Sequence, residues 1–201
     1  MIRFSRTMNV YPEFSNFDTV ELVFDNRKFK NSEAAFQYGK YRPGEETDAL
    51  CTVSGAVAKR LGRQIHMRLD WDDVKYEHMK NVLFAKFTQS EKHKQLLLST
   101  GNQWLVELTY WHDNTWGICN CARCIKKLSE NMLGLALMEV RAAIRGQGNC
   151  YVEFSLLGEN YRLDLWGEAV ARAKELGTWP TVLNTINRFG SSLIEGKGII
   201  S

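Results

Sequence analysis

The chain contains no apolar run approaching the roughly 18 residues of a membrane-spanning helix, and its first residues hold no apolar stretch of the signal-peptide kind. A helical membrane protein is therefore excluded, no membrane partner is expected, and a cytoplasmic location is expected. Low-complexity tracts and internal repeats are also missing, which rules out a solenoid and leaves no stretch to set aside as a linker. Charge of one sign is absent: 26 Lys and Arg against 23 Asp and Glu leave +3. That balance permits an anionic small molecule or a nucleic acid and demands neither. The cysteines lack the second Cys-x-x-Cys pair of a common zinc site, and five of them without a secretion signal point to reduced thiols.

What is present describes an ordinary globular chain. Its 201 residues suit one domain with an appended segment, and 44% hydrophobic content supplies a core. Six Trp, seven Tyr and ten Phe suffice for that core and for a stacking surface besides.

The pattern predicts an α+β fold, mainly helical, with a short β hairpin and a few strands. Residues 1–18 read as irregular, and the alternation Val20-Glu21-Leu22-Val23-Phe24 with Arg27-Lys28-Phe29 reads as the hairpin. Asn31 or Ser32 caps a helix over 32–41 that Pro43-Gly44 ends. Further helices are expected over 55–62, 71–88, 90–99 and 130–145, the last apolar almost all round and hence buried. A strand falls at 104–108 and leads into the loop Tyr110–Gly117, rich in aromatics. A boundary at Gly146-Gln147-Gly148 separates residues 1–146 from a tail, 147–201, with a strand-like stretch at 151–156 and helices near 164–176 and after Thr178.

At about 100° per residue, Glu33, Gln37 and Lys40 share one face of the helix over 32–41. An acid in a first turn already favours the helix dipole, so the face has a structural reading. Lys86 lies in the middle of the apolar stripe of 71–88. Such a lysine either snorkels or is a desolvated amine with a lowered pKa, fit to act as base or nucleophile.

Six stretches in order carry a resemblance: Phe14-Ser15-Asn16-Phe17; Asn31-Ser32-Glu33 with Phe36-Gln37 and Lys40; Leu61-Gly62-Arg63 with Asp70-Trp71; Ala85-Lys86-Phe87; Asp113-Asn114-Thr115-Trp116-Gly117; and Asn131-Met132-Leu133-Gly134. Together they resemble the NADAR (YbiA-like) family over about 11–145, and the tail lies outside the match. The resemblance implies the YbiA-like fold and an N-glycosidase that cuts between ribose C1′ and a nitrogen. Implied substrates are ADP-ribosylated guanine in nucleic acid, with DNA as a partner, or phosphoribosylamino-pyrimidine intermediates of riboflavin synthesis. No cofactor is implied. Carried over by motif, the catalytic positions are Glu33, Trp71 and Asp113, with Lys40 or Lys86 as a Schiff-base lysine. Asn16, Gln37, Arg63, Trp116, Gly117 and Asn131 are the substrate-binding positions.

The residue types suit the reaction on their own account. An oxocarbenium-like state needs a carboxylate and an acid, which Glu33 and Asp113 supply in unassigned shares. Trp71 or Trp116 stacks on a heterocycle, and Arg63 is either a phosphate clamp or an ordinary surface arginine. Lys86, in its apolar stripe, fits a lowered pKa better than Lys40. Glu33 is expected to be solvent-reachable. Two departures stand out: Ala34 replaces a family histidine, and Cys119, Cys121 and Cys124 replace a glycine-rich loop. The first favours an alternative reading, a non-catalytic module binding ADP-ribose or an NAD-related nucleotide. As for the second, His112 or Cys150 could complete a tetrahedral zinc site, but the spacing is not a recognised zinc pattern and no metal is expected.

Overall fold

The computed structural model describes all residues except Pro43, residues 194–198 and Ser201. Pro43 of the expected Pro43-Gly44 break therefore lies outside the described residues. In chain order the elements are β1 (Ile2–Phe4), β2 (Leu22–Phe24), β3 (Arg27–Phe29), α1 (Ser32–Tyr38), α2 (Asp48–Thr52), α3 (Gly55–Leu61), α4 (Trp71–Gln89) and α5 (Glu91–Ser99). There follow β4 (Leu105–Thr109), β5 (Ile118–Cys119), α6 (Met132–Ile144), β6 (Tyr151–Leu156), β7 (Glu159–Asp164), α7 (Glu168–Glu175), α8 (Trp179–Phe189) and β8 (Ile199–Ile200). The fold is α+β and mainly helical. The chain divides into two compact units, Tyr11–Leu98 and Met1–Val10 with Ser99–Ser201.

In the Tyr11–Leu98 unit, β2 and β3 form the expected hairpin, Leu22 opposite Phe29. Its turn, Asp25-Asn26, has φ of 51° and 58°, the two-residue geometry that matches the twist of the strands and that Asp and Asn tolerate. Leu22, Phe29, Ala34, Ala35, Leu50, Ala58 and Val82 make a buried apolar cluster joining hairpin and helices. Helix α1 ends earlier than expected. Its ladder gives way to tighter turns, Lys40 N–H to Gln37 O and Tyr41 N–H to Tyr38 O, both 3.1 Å. Helix α2 lies between the helices expected over 32–41 and 55–62, where no element was expected.

In the other unit, β1 pairs in parallel with β4 and β4 with β5, so residues 1–18 are not wholly irregular. Ile2 faces Leu105, a pairing between distant residues that no local pattern announces. The tail opens with a hairpin, β6 against β7, turning at Leu157 and Gly158 with φ of 52° and 84°. Strand β7 runs to Asp164, where the expected helix near 164–176 was to begin, and α7 begins only at Glu168. Helix α6 packs on β4 so closely that a Cβ on Gly134 would overlap the carbonyl oxygen of Leu105. Asn131, left-handed at φ 55° and 0% exposed, precedes it. Its Nδ2 donates to Leu105 O (2.8 Å) and Asn187 Oδ1 (3.2 Å), and its Oδ1 accepts from Glu107 N (3.1 Å). One side chain thereby ties α6, β4 and α8.

Replacing Asn131 by Ala removes three hydrogen bonds, although Asn187 Oδ1 keeps the one from Trp104 Nε1, and costs about 3 kcal/mol. Urea denaturation followed by circular dichroism should show the midpoint falling with the slope unchanged.

Candidate active site

The polar face of α1 is built from its first turn. Asn31 caps the helix, its side chain accepting from Ala34 N (2.9 Å) and donating to Val53 O (3.0 Å). The carbonyl of Asn16 accepts the Glu33 N–H (2.9 Å) and the Ser32 hydroxyl (3.3 Å), fixing the preceding loop against the helix start. Glu33 and Gln37 are bonded one turn apart, Gln37 Nε2 donating to Glu33 Oε1 at 2.7 Å. Both are enclosed, at 5% and 2% exposure, so Glu33 is not the solvent-reachable acid the sequence suggests. Among the described residues, Asn16 Oδ1 and Gln37 Oε1 are buried acceptors without a hydrogen-bond partner. Orphaned acceptors carry a desolvation cost that a donor hydroxyl of a ligand removes.

Lys40 extends this face. Its ammonium lies 5.9 Å above the Phe36 ring and 5.8 Å above that of Trp71, within cation–π range. Trp71 opens α4 and is held by Phe36 (centroids 5.2 Å apart) and His78 (5.7 Å). Partial burial lowers the Lys40 pKa. The cations of Lys59 and Arg63 push the same way, and the Glu33 carboxylate opposes them. Glu33, Gln37, Lys40, Trp71, Asn16 and Arg63 are therefore neighbours. Lys59, on α3 with its ammonium 5.6 Å from the Phe17 ring centroid, was missed. It lies four residues before Arg63, a spacing that could have flagged it.

Lys86 is different. It is 0% exposed, and its Nζ donates to the carbonyls of Glu13 (2.6 Å) and Ser15 (2.9 Å), with Asp18 Oδ2 3.5 Å away. Burial pushes its pKa from the ordinary 10.5 down to about 8, against the pull of Asp18 and Glu13. The lowered pKa expected from the apolar stripe is present, but the ammonium is enclosed and tethers the 13–18 loop.

Position 34 also reads differently in three dimensions. Ala34 is wholly buried in the apolar cluster, so exchanging a histidine for alanine there does not empty the polar face of α1. A cavity of about 960 Å³ in this unit is lined by residues such as Asp25, Arg27, Tyr38, Arg68 and His78. Glu33, Gln37, Lys40 and Trp71 do not line it. Side-chain chemistry rather than volume thus marks the candidate site, because that trough pairs its acids and bases with one another (Tyr38 to Asp25 at 2.6 Å, Arg27 with Asp48).

The remaining candidates lie in the other unit. Asp113 Oδ1 accepts from Thr115 N (3.2 Å) and Trp116 N (2.9 Å), and its carbonyl accepts from Thr109 Oγ1 (3.0 Å). The carbonyls of Thr115 and Trp116 in turn accept the Met132 and Leu133 N–H groups at the start of α6. Gly117 is required by space: a Cβ there would come within 2.9 Å of Glu107 O and against Thr109 Cγ2. Asn131 is sealed inside, as described above. Gly117 and Asn131 thus have structural work that accounts for them.

The NADAR domain pattern matches residues 3–145. The chain belongs to the NADAR domain family. It is 34% identical over 148 residues to the N-glycosidase YbiA of Escherichia coli (strain K12), covering 70% of this chain and 86% of that one. It is 30% identical over 150 residues to the N-glycosidase Npun_R5314 of Nostoc punctiforme, covering 72% and 92%. The solved NMR structure of Escherichia coli YbiA superposes with a TM-score of 0.62 at 33% identity, over 72% of this chain and 84% of that one. The expected family and its fold are confirmed, and the expectation of a hydrolase of N-glycosidic bonds is met at the level of the family. No helix among the described residues is long and apolar enough to cross a membrane.

Two consequences of Lys86 are measurable. Lys86→Met removes the donor to the Glu13 and Ser15 carbonyls, at a cost of about 2 kcal/mol in thermal or urea unfolding, while Asp18 keeps its bond to His93. Between pH 8 and 10.5 the unfolded chain holds a proton at this position that the folded chain lacks, so this group makes stability rise with pH across that window. The Met variant should lose that contribution to the slope.

Proposed function

We propose that this chain is an N-glycosidase releasing a base or amino-pyrimidine from C1′ of a phosphorylated ribosyl or ADP-ribosyl substrate. In this reading Lys40 is the nucleophile and Glu33 the acid and base. One observation carries it: the enclosed Glu33 carboxyl of α1 and the half-buried Lys40 amine just past its end feel one another's charge, with the amine over Phe36 and Trp71 and beside two cations. The names of the YbiA relatives support the bond class.

The neutral Nζ of Lys40 attacks C1′ as the bond from C1′ to the base nitrogen breaks, and the leaving nitrogen takes its proton from Glu33. The C1′–O4′ bond then opens, O4′ takes a proton from Nζ, and a protonated Schiff base remains on Lys40. Water adds to C1′, the C1′–Nζ bond breaks, and Glu33 regains its proton as lysine and sugar aldehyde separate. Trp71 offers its ring to the heterocycle, and Lys59 and Arg63 serve the phosphate. The orphaned oxygens of Asn16 and Gln37 accept from ribose hydroxyls. The enclosure of Lys86 argues for Lys40 as the reactive lysine.

Assays on ADP-ribosylated guanine DNA and on a phosphoribosylamino-pyrimidine, run side by side, test the reading and distinguish a modified nucleic acid from a free metabolite. Glu33→Gln and Lys40→Met should each lower kcat by about 10²-fold or more with the fold intact. Full activity in either variant removes its role. Because Lys40 reacts as the free amine, kcat/KM should rise with pH to an inflection below the ordinary lysine value of 10.5. Arg63→Ala removes a lowering cation and should move that inflection upward. Asp113→Asn keeps the acceptor for the Thr115 and Trp116 amides, so a fall of about 10²-fold would assign Asp113 a chemical share and unchanged turnover would confine it to the turn.

A further inference from the structure

Outside the polar face of α1, the densest cluster of reactive side chains among the described residues follows β4 and includes the end of β5. His112, Cys119, Cys121 and Cys124 bring one imidazole nitrogen and three sulfurs within 4.8 Å of one another. His112 Nδ1 lies 3.2 Å from Cys121 Sγ and 3.3 Å from Cys124 Sγ. Zinc bonds of about 2.3 Å to sulfur and about 2.0 Å to nitrogen, at tetrahedral angles, place such donors roughly 3.5–3.8 Å apart. Two of the donor pairs lie just inside that spacing and all the donors lie within 4.8 Å of one another, close enough for one ion to bind all four after small adjustments. We propose that His112, Cys119, Cys121 and Cys124 bind a structural zinc ion.

Three features of the loop support this. Its backbone is shaped around the sulfurs: His112, left-handed at φ 68°, donates its N–H to Cys119 Sγ (3.3 Å), the kind of contact that orients a thiolate ligand. Cys121–Cys124 form a tight turn, with Cys124 N–H and Ile125 N–H both donating to Cys121 O, at 2.9 and 3.0 Å. Arg188 on α8 grips the far end, its Nη2 donating to the carbonyls of Cys124 (3.2 Å) and Lys127 (2.9 Å).

The second feature is a deficit of apolar burial. Residues 120–128 form no helix or strand and are mostly exposed, Ile125 and Leu128 among them. A segment with so few buried contacts has little to order it, and a metal supplies what the core does not. The third is the donor set. Three soft thiolates with one imidazole select zinc over hard cations, and four protein ligands leave no open position for water, as in a structural rather than a catalytic site. The sequence argued against a metal because the spacing is not a recognised zinc pattern and the chain has no second Cys-x-x-Cys pair. The left-handed bend at His112 is what brings it to the cysteines.

The test is metal analysis of the full chain, expressed with zinc in the medium and purified without chelator. About one zinc per chain is expected, and replacement by cobalt(II) should give the intense visible bands of a tetrahedral thiolate site, a readout that needs no variant. Cys121→Ser and Cys124→Ser should lose the metal, Cys51→Ser should keep it, and chelation of the wild type should lower its thermal midpoint. A zinc-free protein whose five thiols all react freely, even after incubation with zinc, overturns the proposal, as does a Cys121–Cys124 disulfide. Equal loss of metal from Cys51→Ser would do the same.

Discussion

The ammonium of Lys86, buried within the Tyr11–Leu98 unit, reaches across to the carbonyls of Glu13 and Ser15 and to the carboxylate of Asp18. A buried charge is costly unless its donors are used, and here carbonyls and a carboxylate use them. The consequence is local and specific. Once that loop is drawn onto α4, the carbonyl of the next residue, Asn16, faces the start of α1 and accepts the Glu33 amide and the Ser32 hydroxyl. Position and tilt of the Glu33 turn thus depend on a lysine one helix away. The same loop leaves the Asn16 side-chain oxygen enclosed and unpaired.

On that base the polar face of α1 collects opposing demands. Gln37 spends its amide on Glu33 and leaves its own oxygen without a donor. Lys40 is held over aromatic faces beside Lys59 and Arg63, an environment that favours a neutral amine, while Glu33 favours a charged one. Unpaired acceptors and an amine with a lowered pKa are costly for stability alone, and both suit a polar substrate carrying hydroxyls and phosphate. Lys86 meets the same desolvation and is fully satisfied by protein groups, which separates a tether from a reactive lysine.

Legibility of the sequence followed the range of the interaction. The hairpin at Asp25-Asn26, the one-turn pair of Glu33 and Gln37, and the buried α6 rest on contacts a few residues apart, so periodicity and turn chemistry exposed them. The pairing of Ile2 with Leu105 and the partners of Lys86 join distant residues, and a stripe on α4 could announce the buried lysine without saying what it holds. Arg141 was hidden for a related reason. An apolar helix reads as uniformly buried, yet Arg141 Nη1 donates to Thr100 Oγ1 and the Gln103 carbonyl from inside it. In the tail, the left-handed turn at Leu157-Gly158 closes a hairpin of which only the first strand, at 151–156, is legible in the sequence. In sequence the helix at Ser32 is a polar face with a dipole to explain its acid, and it remains one. What three dimensions add is that the acid is enclosed and that the neighbouring lysine shares its surroundings.

The most direct test of this account is covalent. The enzyme is incubated with an ADP-ribosyl or phosphoribosyl substrate it turns over, reduced with borohydride, digested and mapped by mass spectrometry. The account predicts one sugar-modified peptide, with the reduced adduct on Lys40. An adduct on Lys86, or turnover with no trapped adduct on any lysine, would contradict it.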